Sequence, residues 1–244
     1  GEKIYACNDG LDNDGDELVD LNDSGCDNYE DNDEYNPPLA EVEVIDLEDF
    51  IFKAGNRNID LPLSGNIITS LTNSYLTILL DSNKFSLQPT SLFLSLDGAK
   101  NSFILGDDGF YYVAISFPKV GKTTSYIEAV YEVEGSDQQL EDSVEIVFNS
   151  LPHGQVSDKN GYLGAVKVIL YNETGEQLNA QEYNQINPQN TNSNGYYGWV
   201  VPNGNYYLTF ERKGYYSKKT QLFKVSNNII NRNQELLFIP EKIL

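Results

Sequence analysis

TNSNGYYGWVVPNGNYYLTFERKGYYS, residues 191–217, carries apolar side chains with a period of two on either side of a proline–glycine turn. Tyr197, Trp199 and Val201, then Tyr206, Leu208 and Phe210, fall on one face of two successive extended runs, because neighbouring side chains of a strand point to opposite faces. Asn194 and Gly195 turn into the first run, and Pro202 to Gly204 turn into the second. Upstream, GQVSDKNGYLGAVKVILYNETG (154–175) repeats the pattern. Asp158 to Gly161 suit a hairpin turn, Val166, Val168 and Leu170 share a face, and Lys167 points the other way. Apolar strand faces of this kind are covered by packing two sheets together, which predicts a β-sandwich.

The same logic reads the middle of the chain. From Glu41 to about Phe148 no helical period occurs, but SYLTILL, TSLFLSL, GFYYVAISF, YIEAVYEVE and DSVEIVF are strand-length alternating runs. DSNK, LDGAKN, GDDG and PKVGK punctuate them, a spacing that predicts a second sandwich. LGDDGFYYVAISFPKVGKTTSYIEAVYEVEG (105–135) resembles bacterial immunoglobulin-like surface domains. The pair of stretches at 154–175 and 191–217 resembles carboxypeptidase regulatory-like domains, which implies a small transthyretin-like sandwich acting as a spacer or binding module. The expected fold class is therefore all-β, with two tandem β-sandwiches, immunoglobulin-like and then transthyretin-like, behind a loop-rich N-terminal segment. The expected domains are 1–38, 39–150 and 151–244, with Pro37 and Pro38 stiffening the first connector.

That first segment contains CNDGLDNDGDELVDLNDSGC, residues 7–26, with no basic residue. Counting from Asp12, acidic side chains fall at loop positions 1, 3, 5, 9 and 12, namely Asp12, Asp14, Asp16, Asp20 and Asp23, with the carbonyl of Leu18 at position 7. Calcium takes six to eight hard oxygens in flexible geometry, and this spacing offers them. Position 6, ordinarily glycine, is Glu17, and position 12 is an aspartate; both departures point to a weak extracellular site with a Kd on the order of 0.1 to 1 mM. Asp9 is a supplementary ligand candidate, while Asp27, Glu30, Asp31, Asp33 and Glu34 suit a second, less regular site. The stretch resembles thrombospondin type 3 repeats and acidic C-x-D-G repeats of bacterial and archaeal surface proteins, which implies calcium as the cofactor. Cys7 and Cys26, the only cysteines, suit one disulfide in an oxidising compartment; two buried free thiols would need apolar surroundings that this stretch lacks. A disordered acidic tail is the competing reading of the composition.

The net charge of −21 argues against a nucleic-acid partner, because binding a phosphate backbone relies on basic residues releasing counterions. Residues 1–36 hold thirteen acidic residues against Lys3, whereas residues 200–244 hold seven Lys or Arg against three Glu. No apolar run approaches the roughly 18 residues of a membrane helix. The absence of methionine, even at position 1, fits removal of a secretion signal and an extracellular or cell-surface location.

Catalysis is not expected. His153 is the only histidine and follows Pro152 in the link between the sandwiches, where an interdomain contact is expected; no nucleophile elbow surrounds any serine. Asp107 and Asp108 suit a hairpin turn, and Asn172 fits an N-x-T glycosylation pattern. The tyrosine pairs 111–112, 196–197, 206–207 and 215–216 should put one ring in and one out, the outer rings covering a sheet face or meeting a protein or carbohydrate ligand. Taken together, the expectation is a non-catalytic, calcium-stabilised subunit of a surface filament, pilus-like fibre or layer. An acidic head and a basic tail suit head-to-tail self-association. AEVEVIDLEDFIF (40–52) and QELLFIPEKIL (234–244) are candidates for strand addition to a neighbour, or else edge strands of their own domains. The alternatives are a monomeric adhesion or ligand-binding stalk of a longer protein, and the non-catalytic portion of a secreted enzyme.

Overall fold

The computed structural model describes residues 4–15, 17–23, 25–34, 45–132 and 139–240. The chain divides into two compact units, Gly1–Glu41 and Val42–Leu244. Among the described residues the helices are short 3-10 turns, and none is long and apolar enough to cross a membrane.

The larger unit begins with two facing five-stranded sheets. One runs Ile59–Asp60, Phe50–Ala54, Tyr75–Asp81, Phe110–Ser116, Ile104–Leu105, all antiparallel. The other runs Ile67–Leu71, Gln139–Leu151, Gly121–Glu132, Ser91–Leu96, Ala99–Ser102; its first pair is parallel and the rest antiparallel. The alternation dictates which side chains meet: Leu76 and Ile78 from the first sheet and Leu94, Ile127 and Phe148 from the second have no solvent exposure. Phe117 stands edge-on to Phe148 at 5.6 Å. Each such side chain contributes about 1.5–3 kcal/mol through its removal from water.

The second sandwich follows without a break. Gly154–Asp158 pairs with Gly161–Tyr162 and Tyr196–Tyr197 antiparallel and with Gln234–Glu235 parallel. Facing it, Lys167–Asn172 lies between Gln189–Asn190 and Gly204–Glu211, and the latter also pairs with Lys218–Lys219 and Phe223–Val225. The side chains expected inside are there: Tyr197, Trp199, Val201, Tyr206, Leu208 and Phe210 are buried, as are Val166, Val168 and Leu170. Lys167 points out and pairs with Glu211 at 3.5 Å.

A two-stranded ribbon, Trp199–Val200 with Ile229–Ile230, ties the two cores together. Its alternation is divided between them. Trp199, Val201 and Ile230 enter the second core, while Val200 and Ile229 enter the first. Both faces of the ribbon are therefore apolar, and separating the sandwiches would expose Val200 and Ile229 to water.

One stretch departs from the sequence reading. Within 40–52, residues 40–44 lie outside the described residues, and Leu47–Asp49 forms a 3-10 turn, so the strand starts only at Phe50. The cause is Asp46, whose carboxylate accepts the Glu48 N–H at 2.9 Å and offers the backbone a turn in place of a ladder. DSNK, expected as a turn between strands, is one: the 3-10 turn Ser82–Lys84, capped by Asp81. Within 234–244, Gln234–Glu235 and buried Leu236 serve the chain's own second sandwich, and residues 241–244 lie outside the described residues.

Candidate metal centre

The N-terminal unit is organised by turns whose N–H groups are taken up by carboxylates. Cys7 and Cys26 form a disulfide with Cα atoms 5.7 Å apart. Asp12 accepts the N–H of Gly15 at 2.6 Å through Oδ1 and that of Glu17 at 3.0 Å through Oδ2. Glu17, at the loop position usually held by glycine, has φ +76°, so the backbone makes the left-handed turn without a glycine there. Asp20 accepts from Gly10 at 3.0 Å, and Asp9 accepts from Leu11 at 2.9 Å.

Glu34 is the hub. Sequence spacing assigns it to a second site, yet its Oε2 accepts the N–H of Asn13 at 2.8 Å and its Oε1 that of Asp20 at 2.9 Å, both within the first loop. Its relative exposure is 2%. Gly25 lets the chain close around it: a Cβ at that position would lie 2.2 Å from the Glu34 carbonyl oxygen. The long-range return of residue 34 has no signature in local ligand spacing, although an obligatory glycine beside Cys26 is its trace in the sequence.

Residues from both acidic stretches line one open hollow. Asp9, Asp14, Asp33 and Glu34 are on its lining, with Asn13 and Asn32 and with Ile4, Tyr5 and Ala6. Asp12, Asp20 and Asp23 are not on its lining; Asp12 and Asp20 shape the loop as above, and buried Asp23 accepts the Gly25 N–H at 2.7 Å. Leu18 is exposed. Asp31 accepts from Asp27 and Asn32, closing a turn of its own beside exposed Asp27. Asp16 lies outside the described residues. Glu34 also lies within 4.8 Å of both cysteine sulfurs, but the disulfide leaves these no thiolate for a metal. The acidic residues of this lining offer hard oxygens, the donor type that calcium prefers.

Elsewhere, His153 is half-buried at the junction of the sandwiches, and burial holds its pKa below 6.5. Asp108 accepts the Phe110 N–H at 3.3 Å in the turn Gly106–Gly109. Asn172 accepts from Thr174 and Glu176 within its own turn, so its carboxamide is engaged. Tyr197 and Tyr206 are the inward members of their pairs; Tyr111 and Tyr112 are both half-buried, the latter under the Arg57 guanidinium at 4.8 Å.

No protein-family model matches the chain, and no curated protein matches it. Among solved structures the chain is similar to the N-terminal Ig1-2 module of the Drosophila receptor protein tyrosine phosphatase DLAR, at 8% identity over 70% of this chain and 93% of that one, with a TM-score of 0.23. At that score the likeness carries no argument, and the all-β fold is read from the chain's own sheets.

Proposed function

We propose that the chain is a non-catalytic extracellular structural module, stabilised by calcium at its N-terminal unit and assembling head to tail as a subunit of a surface filament, fibre or layer. The observation that carries the calcium reading is the hollow lined by Asp9 and Asp14 from the disulfide-closed loop and by Asp33 and Glu34 from the segment that returns to it. When bound, the ion would supply the positive charge that lets these carboxylates sit together. Chain residues do the rest: Asp12 and Glu34 hold the turns, and Cys7–Cys26 limits how far the loop can open. The disulfide also supports an oxidising, extracellular setting. We read the first sandwich as immunoglobulin-like and the second as transthyretin-like, the carboxypeptidase regulatory-like kind.

Self-association is supported by the acidic N-terminal and basic C-terminal composition, complementary charges that favour heterologous contacts. Negative-stain electron microscopy in millimolar calcium and in chelator tests it. Ordered fibres that shorten without calcium are expected; separated particles in both conditions would overturn the polymer. The second reading, a ligand-binding stalk, is favoured by rings left open to solvent, Tyr75 at 68% and Tyr216 at 57% exposure.

A further inference from the structure

Where the two sandwiches meet there is a cleft of about 530 Å³, within the size range of small-ligand sites. One wall comes from the turns at 54–56 and 71–75 of the first sandwich, the other from residues 183–190, Gly198 and Val200 of the second, with His153 between. None of its eighteen lining residues is Asp, Glu, Lys or Arg, in a chain where 22% of residues are. An ionic ligand would find no countercharge there.

The walls are fixed in place. Asn58 donates to the Glu182 carbonyl at 2.7 Å across the junction. The Gln185 carboxamide is committed to the N–H and carbonyl of Val200, and that of Gln189 to those of Gly198. Gly198 permits the close approach: a Cβ there would sit 3.0 Å from Leu71 and 3.2 Å from His153. The ribbon that feeds Val200 and Ile229 into the first core prevents the walls from parting at small cost.

Against this fixed frame, four other carboxamides on the lining, Asn56, Asn73, Asn184 and Asn190, make no side-chain hydrogen bond among the described residues. Asn56, Asn73 and Asn184 sit at φ +62°, +60° and +53°. Asparagine tolerates that conformation, but glycine would satisfy the backbone as well; what asparagine adds is a donor and an acceptor at the mouth of the cleft. Tyr75 adds an exposed ring. Paired donors and acceptors match vicinal hydroxyls, and an aromatic face matches the C–H face of a pyranose.

We propose that this cleft binds a neutral saccharide of one or two units, gripped by Asn56, Asn73 and Asn184 and stacked on Tyr75. The site is independent of calcium and of self-association. The test is an NMR titration of the full chain with cellobiose, maltose, lactose and diacetylchitobiose, with a sulfated heparin disaccharide as the charged control. At least one neutral disaccharide should saturably shift the asparagine side-chain NH₂ signals with a Kd in the range of roughly 0.1 to 10 mM. Asn73→Gly with Asn184→Gly, which keeps the left-handed backbone, should weaken it by about tenfold or more while the melting temperature holds; Tyr75→Ala should do the same. Saturation by none of the four, affinity indifferent to these substitutions, or preference for the sulfated sugar would each overturn the proposal.

Discussion

Replacing Glu34 by glutamine changes one atom of a buried side chain, and the structure gives that atom a large effect. Both carboxylate oxygens accept backbone N–H groups, from Asn13 at 2.8 Å and from Asp20 at 2.9 Å. In glutamine one oxygen becomes an NH₂, so whichever way the carboxamide turns, a donor faces a donor. One buried hydrogen bond to a charged acceptor is lost and one backbone N–H is left without a partner, which costs about 2 kcal/mol. The loss falls on the closed form of the loop, so amide exchange at Asn13 and Asp20 should accelerate roughly thirtyfold, at about 1.4 kcal/mol per factor of ten. Hydrogen exchange read by NMR, with Glu30→Gln as an exposed control, measures it directly. Unchanged protection at both amides in Glu34→Gln would refute the reasoning that residue 34 organises the first loop.

Three further outcomes are expected. Reduction of Cys7–Cys26, which spans a sequence separation of 19, should remove about 3 kcal/mol of loop-closure stabilisation from the N-terminal unit and leave the sandwiches' unfolding transition in place; denaturant melts followed by exchange in each unit would show otherwise if both fall together. Thr191→Val should destabilise the second sandwich by about 3 kcal/mol, because buried Oγ1 accepts the Val166 N–H at 3.0 Å and donates to the Leu163 carbonyl at 2.7 Å, and valine leaves both unpaired; a urea midpoint matching wild type counts against it. His153 should titrate below 6.5 by NMR, since burial favours its neutral form. Its folded pKa being lowered, it contributes stability above pH 6.5 that is lost as pH falls through the folded value, and a midpoint above 6.5 would contradict its placement.

The strands were legible because half-buried antiparallel runs write their burial into the sequence with a period of two. Val166, Val168, Leu208 and Phe210 could be placed on inner faces from that period alone, and all four have no exposure. The ribbon was legible as apolar, but not as shared: nothing local distinguishes Val200 from Val201, and only the packing of the first sandwich decides that they enter different cores. Asp46 misled the reading in a short-range way, by capping a turn inside an alternating run. In the acidic unit the Glu17 N–H reaches Asp12 within one short turn, while the contribution of Glu34 depends on the chain returning from 21 residues away. The junction cleft draws on residues from 54 to 200, so no window of the sequence contains it.

Calcium binding at the N-terminal unit is tested most directly by a calcium titration of the full chain followed by amide NMR. Saturable shifts of Gly10, Asn13, Gly15 and Glu17 are predicted, with a Kd on the order of 0.1 to 1 mM, reversed by chelator and absent from the sandwiches. Shifts that rise linearly without saturating to about 10 mM, or that spread evenly over all exposed carboxylates, would contradict it.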